Sequence, residues 1–247
     1  MNITIFILCY NEEILLPHTI YHYKKYLPSS TINIYDNEST DNSVEIAKSL
    51  GLKVISFNTD NKLDEYKQTH IKNTCWQDID NGWIIVVDMD EWLCVTEDEL
   101  QYELEKGTSI LKIKGVEMIG ESETEDLSDI NLHTIDTYVY NKMESKNLCF
   151  LRNKICEIQY IFGAHKCRPI SNDNCDIIYS EREYINKHMS YLGLPFIIKK
   201  TLNRYNRSEE MRLENKAIQY TNNIDIIKNR YNKRYNERHT NLLATKL

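Results

Sequence analysis

The segment from Trp83 to Trp92, with the sequence WIIVVDMDEW, constrains this chain more than any other. Its run of β-branched residues, 84–87, predicts a strand that is buried on both faces. Asp88 and Asp90 follow directly. Beside a hydrophobic strand, desolvation and mutual repulsion would favour protonation of one carboxylate unless a divalent cation binds both. Hard oxygen ligands on a short turn suit Mg²⁺ or Mn²⁺ and leave positions open for water and phosphate oxygens.

The residues before Trp83 alternate between strand patterns and amphipathic helix patterns. Strands are predicted at 3–9, 31–35 and 53–57, and the helices that follow them at 14–26, 44–50 and 63–79. This alternation predicts a parallel sheet with right-handed crossovers. Asn11, Asp36 and Asp88 would then share one sheet edge, at the carboxyl ends of their strands, which favours a site for a nucleotide and a metal. For the polar residues 36–43, capping of the next helix is the alternative.

Asp88, Met89 and Asp90 form what we call the acidic turn. Short strand patterns dominate the chain after it. A helix is predicted at 98–106, a strand at 109–118 and an acidic loop without periodicity at 121–129. Further strands are predicted at 137–140, 148–152, 158–162 and 177–179, and the residues after 193 are expected to be helical.

The charge of the chain is distributed unevenly along its length. Residues 1–198 contain 18 Lys+Arg against 32 Asp+Glu, a net charge of −14, whereas residues 199–247 contain 12 against 5, a net charge of +7. We therefore expect one domain at 1–198 and a basic C-terminal helical segment at 199–247 that packs on it or forms a homodimer contact. A membrane surface or a polyphosphate is the alternative contact for the basic segment. Nucleic acid is not expected as a partner, because the body is acidic and carries no recognisable nucleic-acid motif.

The cysteines indicate neither a zinc site nor a disulfide framework. Seven are present, an odd number, and no two form a Cys-x-x-Cys pair. A reducing compartment, and therefore a cytoplasmic location, fits this usage best. The apolar run at 3–8 has no basic region before it, so it is interpreted as a first strand and not as a signal peptide. No stretch approaches the length of a transmembrane segment.

Three motifs resemble a known family when they are taken in order. They are CYNEE at 9–13, DNESTD at 36–41 and the segment from Trp83 to Trp92, and they resemble the successive signatures of the GT-A fold glycosyltransferases grouped as family 2. The resemblance covers residues 1 to about 95 most clearly and continues more weakly at 163–165 and 187–192. It implies an α/β fold with a Rossmann-like mixed sheet flanked by helices and a C-terminal helical extension.

The resemblance also implies a site for a nucleotide sugar. Asn11 would line the nucleotide pocket, Asp36 would accept a hydrogen bond from the base, and Asp88 and Asp90 would hold Mn²⁺ or Mg²⁺ against the diphosphate. The cation would then neutralise charge on the departing nucleoside diphosphate. On the helix before the acidic turn, Lys72 and Asn73 are further candidates for the donor site. A solvated helical lysine is the alternative for Lys72.

Two histidines are candidates for a third metal ligand. His188 and His165 lie in segments that could fold back across the strand ends, and neutral imidazole suits manganese. For each of them, a structural histidine bonded to the backbone is the alternative.

Inversion, the outcome in family 2, needs a carboxylate that takes the proton of the acceptor hydroxyl. The usual acidic pair at the head of a later helix is not clearly present here. Glu117, at the end of the strand after the acidic turn, is therefore the candidate base, with Glu121 and Glu123 in the neighbouring loop. Catalysis is expected to depend on Glu117 and Asp90, whereas Glu91 is expected to orient the turn.

Three functions are compatible with these residues. The first is a metal-dependent transferase that moves a sugar from a nucleotide donor, preferably a UDP-sugar, to a glycan or another hydroxyl acceptor. The second is a sugar nucleotidyltransferase, but the first strand is followed by YNEE at 10–13 and not by a glycine-rich phosphate loop. The third is an inactive module of the same fold that binds a glycan or a partner protein.

Overall fold

The first half of the chain folds as the strand and helix alternation predicts. The computed structural model describes residues 1–172 and 176–242. Its first four strands pair in parallel in the order β3-β2-β1-β4, which confirms the predicted parallel sheet. They are β1 (Ile3–Cys9), β2 (Thr31–Asp36), β3 (Lys53–Ser56) and β4 (Trp83–Asp88), and the helices between them are α1 (Leu16–Tyr26), α2 (Ser43–Ser49) and α3 (Glu65–Thr74).

The second half adds mostly antiparallel strands to the same sheet. Its elements are β5 (Glu91–Cys94), α4 (Glu97–Glu105), β6 (Ile110–Ser122), β7 (Tyr138–Tyr140), β8 (Cys149–Leu151), β9 (Ile155–Glu157), β10 (Ile170–Ser171) and β11 (Tyr179–Gly193). The sheet continues from β4 in the order β8-β6-β11-β5, while β9 and β10 form a separate small sheet. The pairs β4 with β8, β6 with β8 and β11 with β5 are antiparallel, whereas β11 runs parallel to β6. The result is the mixed α/β sheet flanked by helices that the family resemblance implied.

Several local predictions for this half were wrong. The strand predicted at 158–162 is absent, since the strand in this region is β9 and residues Phe162–Ala164 form a 3-10 turn. The residues directly after the acidic turn form β5, which pairs with β11 and was not predicted. The predicted loop at 121–129 starts too early, because β6 continues to Ser122. The cysteines of the described residues are free, and Cys175 lies outside the described residues.

The C-terminal residues are helical, as expected. They form α5 (Leu194–Arg207), α6 (Glu209–Leu213) and α7 (Ile224–Glu237). The charge boundary at 198 therefore falls inside α5, which starts directly after β11. Ile197 of α5 packs with Ile227 and Tyr231 of α7, and the Tyr231 hydroxyl donates to the carbonyl of Gly120 at 2.6 Å. Within the described ranges, no helix is both long enough and apolar enough to span a bilayer.

The segment before β8 crosses the sheet at Gly115, where its backbone lies very close to the backbone of β6. A Cβ at this position of β6 would collide with the backbone of Glu144. The Gly115 N–H donates to the Ser145 hydroxyl at 2.9 Å, and the Asn141 N–H donates to the Gly115 carbonyl at 3.0 Å. These contacts hold the 3-10 turn Lys142–Glu144 against the strand and bring Glu144 and Lys146 to the end of β4.

Candidate functional site

A cavity of about 1080 Å³ opens where the sheet meets the C-terminal helices. Its lining includes residues that follow β1 and β4 and residues of β6 and β11. Residues of α5 and α7 complete the part of the lining that the C-terminal helices contribute. The lining includes Asn11, Asp88, Asp90, Glu117 and His188, so the cavity collects most of the residues that the sequence singled out.

The acidic turn is held in place from both of its ends. The Met89 N–H donates to the Leu8 carbonyl at 3.1 Å, which ties the turn to β1. The Asp88 N–H donates to the Glu91 carboxylate at 2.8 Å. Glu91 is buried, and burial raises its pKa above the ordinary value despite a nearby lysine. The turn therefore has a fixed conformation, with Glu91 supporting its backbone.

Two lysines surround the carboxylate of Asp88. The Lys72 Nζ lies 2.7 Å from Oδ1 of Asp88, and the Lys146 Nζ lies 4.0 Å from Oδ2. Burial alone would raise the pKa of Asp88, but Lys72 and Lys146 lower it more, so the pKa of this carboxyl lies below its ordinary value. The side chain of Lys72 is only 6% exposed, so the solvated lysine considered from the sequence is wrong.

Lys146 is a buried cation that sequence reasoning missed. Its Nζ lies 2.6 Å from Oε1 of Glu91 and 3.2 Å from Oε2 of Glu144. Burial would lower the pKa of Lys146, but Glu91, Glu144 and Asp88 raise it well above the ordinary value. No motif surrounds this lysine, and only the fold of the 3-10 turn beside Gly115 brings it to the acidic turn.

The carboxylate of Asp90 lies at the centre of a second group of charges. Its Oδ2 is 2.9 Å from Nζ of Lys200, 3.3 Å from Nε2 of His188 and 3.4 Å from Nη2 of Arg204. Burial would raise the pKa of Asp90, yet Lys200, His188 and Arg204 hold it well below its ordinary value. Lys200 also lies 2.8 Å from Glu12, whose pKa is raised by burial in spite of this contact. Asp90 is therefore an ionised, buried carboxylate.

His188 joins Asp90 to Glu117. On β11, His188 is in register with Glu91 of β5 on one side and with Glu117 of β6 on the other. Its Nδ1 lies 2.8 Å from Oε1 of Glu117, and its Nε2 faces Asp90. Burial would lower the pKa of His188, but Glu117, Glu144 and Asp90 raise it well above the ordinary value. The strand register thus places this ring between two acidic side chains.

His165 lines the cavity without touching the acidic turn. Its Nδ1 lies 2.7 Å from the carbonyl oxygen of Met143, which is the backbone-bonded arrangement considered as the alternative. Burial lowers its pKa below the ordinary value. Among the described residues it forms no ion pair with Asp88 or Asp90. Of the two histidines, His188 is the one beside the Asp90 carboxylate.

Because the neighbouring carboxylates raise the pKa of His188, the ring would have to lose a proton before it could bind a divalent cation. The donor types around it otherwise fit such an ion. Carboxylate oxygens and a neutral imidazole nitrogen are the ligands that Mn²⁺ accepts in proteins. Nε2 of His188 and Oδ2 of Asp90 are in direct contact, and Asp88 belongs to the same turn. Within residues 1–172 and 176–242, the one group of three such residues whose ligand atoms all lie within 4.8 Å of one another is Glu117, Glu144 and His188. That group shares only His188 with the set predicted from the sequence.

The residues after β1 form a network with the loop after β2. The Thr40 N–H donates to Oδ1 of Asn11 at 2.7 Å, and Nδ2 of Asn11 donates to the Thr40 hydroxyl at 3.1 Å. Asp36 is buried and accepts from the N–H and the hydroxyl of Ser39, at 3.1 and 2.6 Å. Asn11 lines the cavity, as do Asn37 and Asp41 of the loop after β2, whereas Asp36 does not. The local bonding of Asp36 is the type expected of a residue that shapes a loop.

Asn73 lies outside the cavity lining. Its Nδ2 donates to the Tyr160 carbonyl at 3.1 Å, and its Oδ1 accepts from the Tyr160 N–H at 2.7 Å. The side chain therefore ties α3 to the segment after β9, next to the cavity. Glu121 and Glu123 are also absent from the described lining, and Glu121 accepts a bond from the Tyr235 hydroxyl at 2.9 Å.

The first part of the chain matches a known protein family. Residues 4–104 match the model of the family described as glycosyl transferase family 2. Protein RfbJ of Shigella flexneri is 29% identical over 90 residues, which cover 36% of this chain and 65% of RfbJ. The chain thus spans about two thirds of the length of this curated relative.

The solved structures that the chain matches are more distant in sequence. TarS of S. aureus has a TM-score of 0.46 at 15% identity, with 84% of this chain and 42% of TarS covered. A structure of TarS residues 1–349 in complex with UDP-GlcNAc has a TM-score of 0.44 at 14% identity and covers 81% of this chain and 64% of that one. Glucosyl-3-phosphoglycerate synthase of Mycobacterium tuberculosis, in complex with Mn²⁺, UDP and glucosyl-3-phosphoglycerate, has a TM-score of 0.31 at 15% identity, with 46% and 44% covered.

The matched residues 4–104 contain β1 except for its first residue, β2 to β5 and the whole acidic turn, so they include the parallel half of the sheet and the strand ends that line the cavity. Over this region the chain is similar to glycosyl transferase family 2.

Proposed function

We propose that this protein is a metal-dependent glycosyltransferase that moves a sugar from a nucleoside diphosphate donor to a hydroxyl group of a glycan or another acceptor. A UDP-sugar is the proposed donor, and inversion is the proposed outcome. The observation that carries the proposal is the contact between Asp90 and His188, which both line a large cavity next to strand ends that match family 2. An ionised carboxylate and an imidazole in contact there suit a cation that faces a diphosphate.

The leaving diphosphate would be stabilised by positive charge. Asp88, Asp90 and His188 would hold Mn²⁺ or Mg²⁺, and the bound ion would supply Lewis-acid stabilisation of the leaving group. The chain supplies further cations at the same carboxylates, because Lys72 lies beside Asp88 and Lys200 beside Asp90. Fixed cations in a cavity shielded from water stabilise developing charge more strongly than solvated ones.

The donor's nucleoside would lie over the ends of β1 and β2. Asn11 lines the cavity there, and we assign it a direct contact with the nucleotide. Asp36 would act through the loop that it shapes by accepting from Ser39, and Asn73 by holding α3 beside the cavity. Both are positioning roles, since neither side chain lines the cavity.

Glu117 is the proposed base for the acceptor hydroxyl. Its carboxylate lines the cavity, and it is held between Nδ1 of His188 and the Asn141 amide, which donates to Oε2 at 3.0 Å. The acceptor oxygen would attack the anomeric carbon as the bond to the diphosphate oxygen breaks on the opposite face. The hydroxyl proton would pass to Glu117, and the configuration of the sugar would invert.

Calorimetric titration of UDP with and without Mn²⁺ tests the proposal. We expect Mn²⁺-dependent binding by the unaltered chain and its loss in Asp90→Asn, with an unchanged circular dichroism spectrum. Asp129→Asn is the matched control, since Asp129 is exposed and lies far along the chain from the acidic turn. Binding of UDP that neither needs a metal nor depends on Asp90 would overturn the metal role. No binding of UDP under any condition would favour the inactive module.

A further inference from the structure

The C-terminal side of the cavity is positively charged throughout. Every charged residue that α5, α7 and the segment between them contribute to the described lining is a lysine or an arginine. The side formed by the strand ends contains both the acidic turn and most of the acidic lining residues. The two sides of the cavity therefore differ strongly in charge.

The cations of α5 and those of α7 have different partners. Lys200 and Arg204 of α5 are paired with the buried Asp90. On α7, Arg230 donates to the carbonyl of Gln219, and the guanidinium of Arg234 lies 4.4 Å from the centre of the Tyr191 ring. Among the described residues, no carboxylate lies within 4.0 Å of Arg230, Lys233 or Arg234 in an ion pair. These three residues, which we call the α7 cation group, are available to an anion from outside the chain.

The α7 cation group lies next to the proposed base. A smaller cavity of about 200 Å³ is lined by Val139, Tyr140 and the exposed Glu237 and by four further residues, Glu117, Asn141, Lys233 and Arg234. The same four residues also line the large cavity, so the two cavities meet at this point. An anion bound here would be on the Glu117 side of His188, whereas the donor's diphosphate is proposed on the Asp90 side. The anion would therefore belong to the acceptor.

We propose that the α7 cation group binds a phosphate or carboxylate group of the acceptor, so that the transferase acts on an anionic substrate. The inference rests on the proposed function for the identity of the bound molecule as acceptor. Arg234 is well suited to this role, because its guanidinium lies over the Tyr191 ring and, among the described residues, is in no ion pair. Lys233 is exposed and lines both cavities.

Binding of three small probes tests the inference directly. Glucose 6-phosphate, glucuronate and glucose differ only in the group at one end and would be titrated by NMR in the presence of UDP and Mn²⁺, which keep the donor site filled. We expect at least one anionic probe to bind and glucose to show no detectable binding. A preference for glucose 6-phosphate would identify a phosphate-bearing acceptor, and a preference for glucuronate a carboxylate-bearing one.

Substitutions on α7 identify the binding residues. Lys233→Ala should weaken binding of the anionic probe about tenfold, the loss of about 1.4 kcal/mol, and Lys233→Glu should abolish it. Lys228→Ala is the matched control, because Lys228 is exposed on the same helix and does not line either cavity. Equal binding of glucose, absence of binding by both anionic probes, or indifference to Lys233→Ala would each overturn the inference.

The inference and the proposed function can fail separately. If UDP binds as proposed but both anionic probes do not, only the anionic acceptor is excluded. If UDP does not bind, glucose 6-phosphate and glucuronate are titrated alone. Binding of either probe that depends on Lys233 would then leave an anion site on a protein that is not a UDP-dependent transferase.

Discussion

The Nζ of Lys200 lies 2.9 Å from Oδ2 of Asp90, so a helix that follows the family-matched region reaches the acidic turn within it. Both side chains are largely buried, with 10% and 2% of their surface exposed. The acidic residues 1–198 and the basic residues 199–247 are thus joined by a buried ion pair at the candidate site. Residues 199–247 accordingly contribute to this site and are more than a surface extension.

Replacement of Lys200 by methionine removes this contact with little change in volume. Because it leaves Asp90 buried with fewer cations, we expect a loss of stability of about 1–3 kcal/mol. We also expect transferase activity to fall at least about tenfold, since a cation near the diphosphate is lost. Lys228→Met is the control, because Lys228 is exposed and lines neither cavity. Urea denaturation and initial rates measure the two effects, and equal behaviour of both variants would contradict the assignment.

Glu117→Gln tests the proposed base without a change of shape. The amide can still bond to His188 or Asn141 but cannot accept a proton, so we expect transfer to fall by a factor of about 10²–10⁴. Binding of UDP, measured by calorimetry, should change little, because Glu117 is on the acceptor side. A variant that retains full transfer would show that another group takes the proton. Asn141→Asp would be informative in parallel, since it removes a donor to Glu117.

Lys146→Met tests the buried ion pair with Glu91. Breaking such a pair costs about 3–5 kcal/mol, because one charge is left uncompensated in the interior. We expect a loss of stability near the lower end of this range, since the pKa of Glu91 is already raised and the carboxylate can become neutral by taking up a proton. Lys142→Met, at an exposed position of the neighbouring 3-10 turn, should change stability by less than about 0.5 kcal/mol. Chemical denaturation at pH 7 measures both, and a small effect of Lys146→Met would mean that water reaches Glu91.

His22 predicts a dependence of stability on pH. Burial lowers its pKa to about 4 from 6.5, and its Nε2 contacts the carbonyl of Leu93 at 2.9 Å. Because the folded state binds the proton less well than the unfolded state, its contribution is complete above pH 6.5 and is lost as the pH falls toward 4. The loss amounts to about 3 kcal/mol at most.

Urea titrations of the unaltered chain and of His22→Gln at pH 7 and pH 5 isolate this contribution from those of the carboxylates. The glutamine amide can still donate to Leu93 but does not titrate. We therefore expect the stability of the variant to fall less between the two pH values. Parallel pH profiles would show that His22 is already protonated in the folded state, or that water reaches it.

Local patterns were sufficient to predict the parallel half of the fold. The strands at Ile3–Cys9 and Trp83–Asp88 are almost entirely apolar, Thr4 being the one polar residue before their ends, and polar residues follow or end them. Their limits therefore follow from the sequence alone. Parallel pairing follows from the helices between them. The convergence of Asn11 and Asp88 on one cavity follows in turn, because both come directly after strands of one parallel sheet.

The charges around the acidic turn could not be predicted in the same way. Lys146 and Glu144 reach the turn through a 3-10 turn whose position depends on a backbone approach between distant segments. Their sequence neighbourhood contains no periodicity and no motif. His188 was a candidate on the family resemblance, but its contact with Glu117 depends on the register between β11 and β6. Register between distant strands is set by the whole sheet and not by the local sequence.

Gly115 carries no functional group. The segment that packs against it nevertheless determines whether the ammonium group of Lys146 lies near Asp88. A methyl group there would occupy the space of the Glu144 backbone, so the turn would have to lift and Lys146 would move with it. In a saturation mutagenesis experiment scored by activity, we therefore expect position 115 to tolerate substitution as poorly as positions whose side chains contact the substrate. Intolerance at such a position reports the shape of the scaffold rather than the chemistry of the reaction.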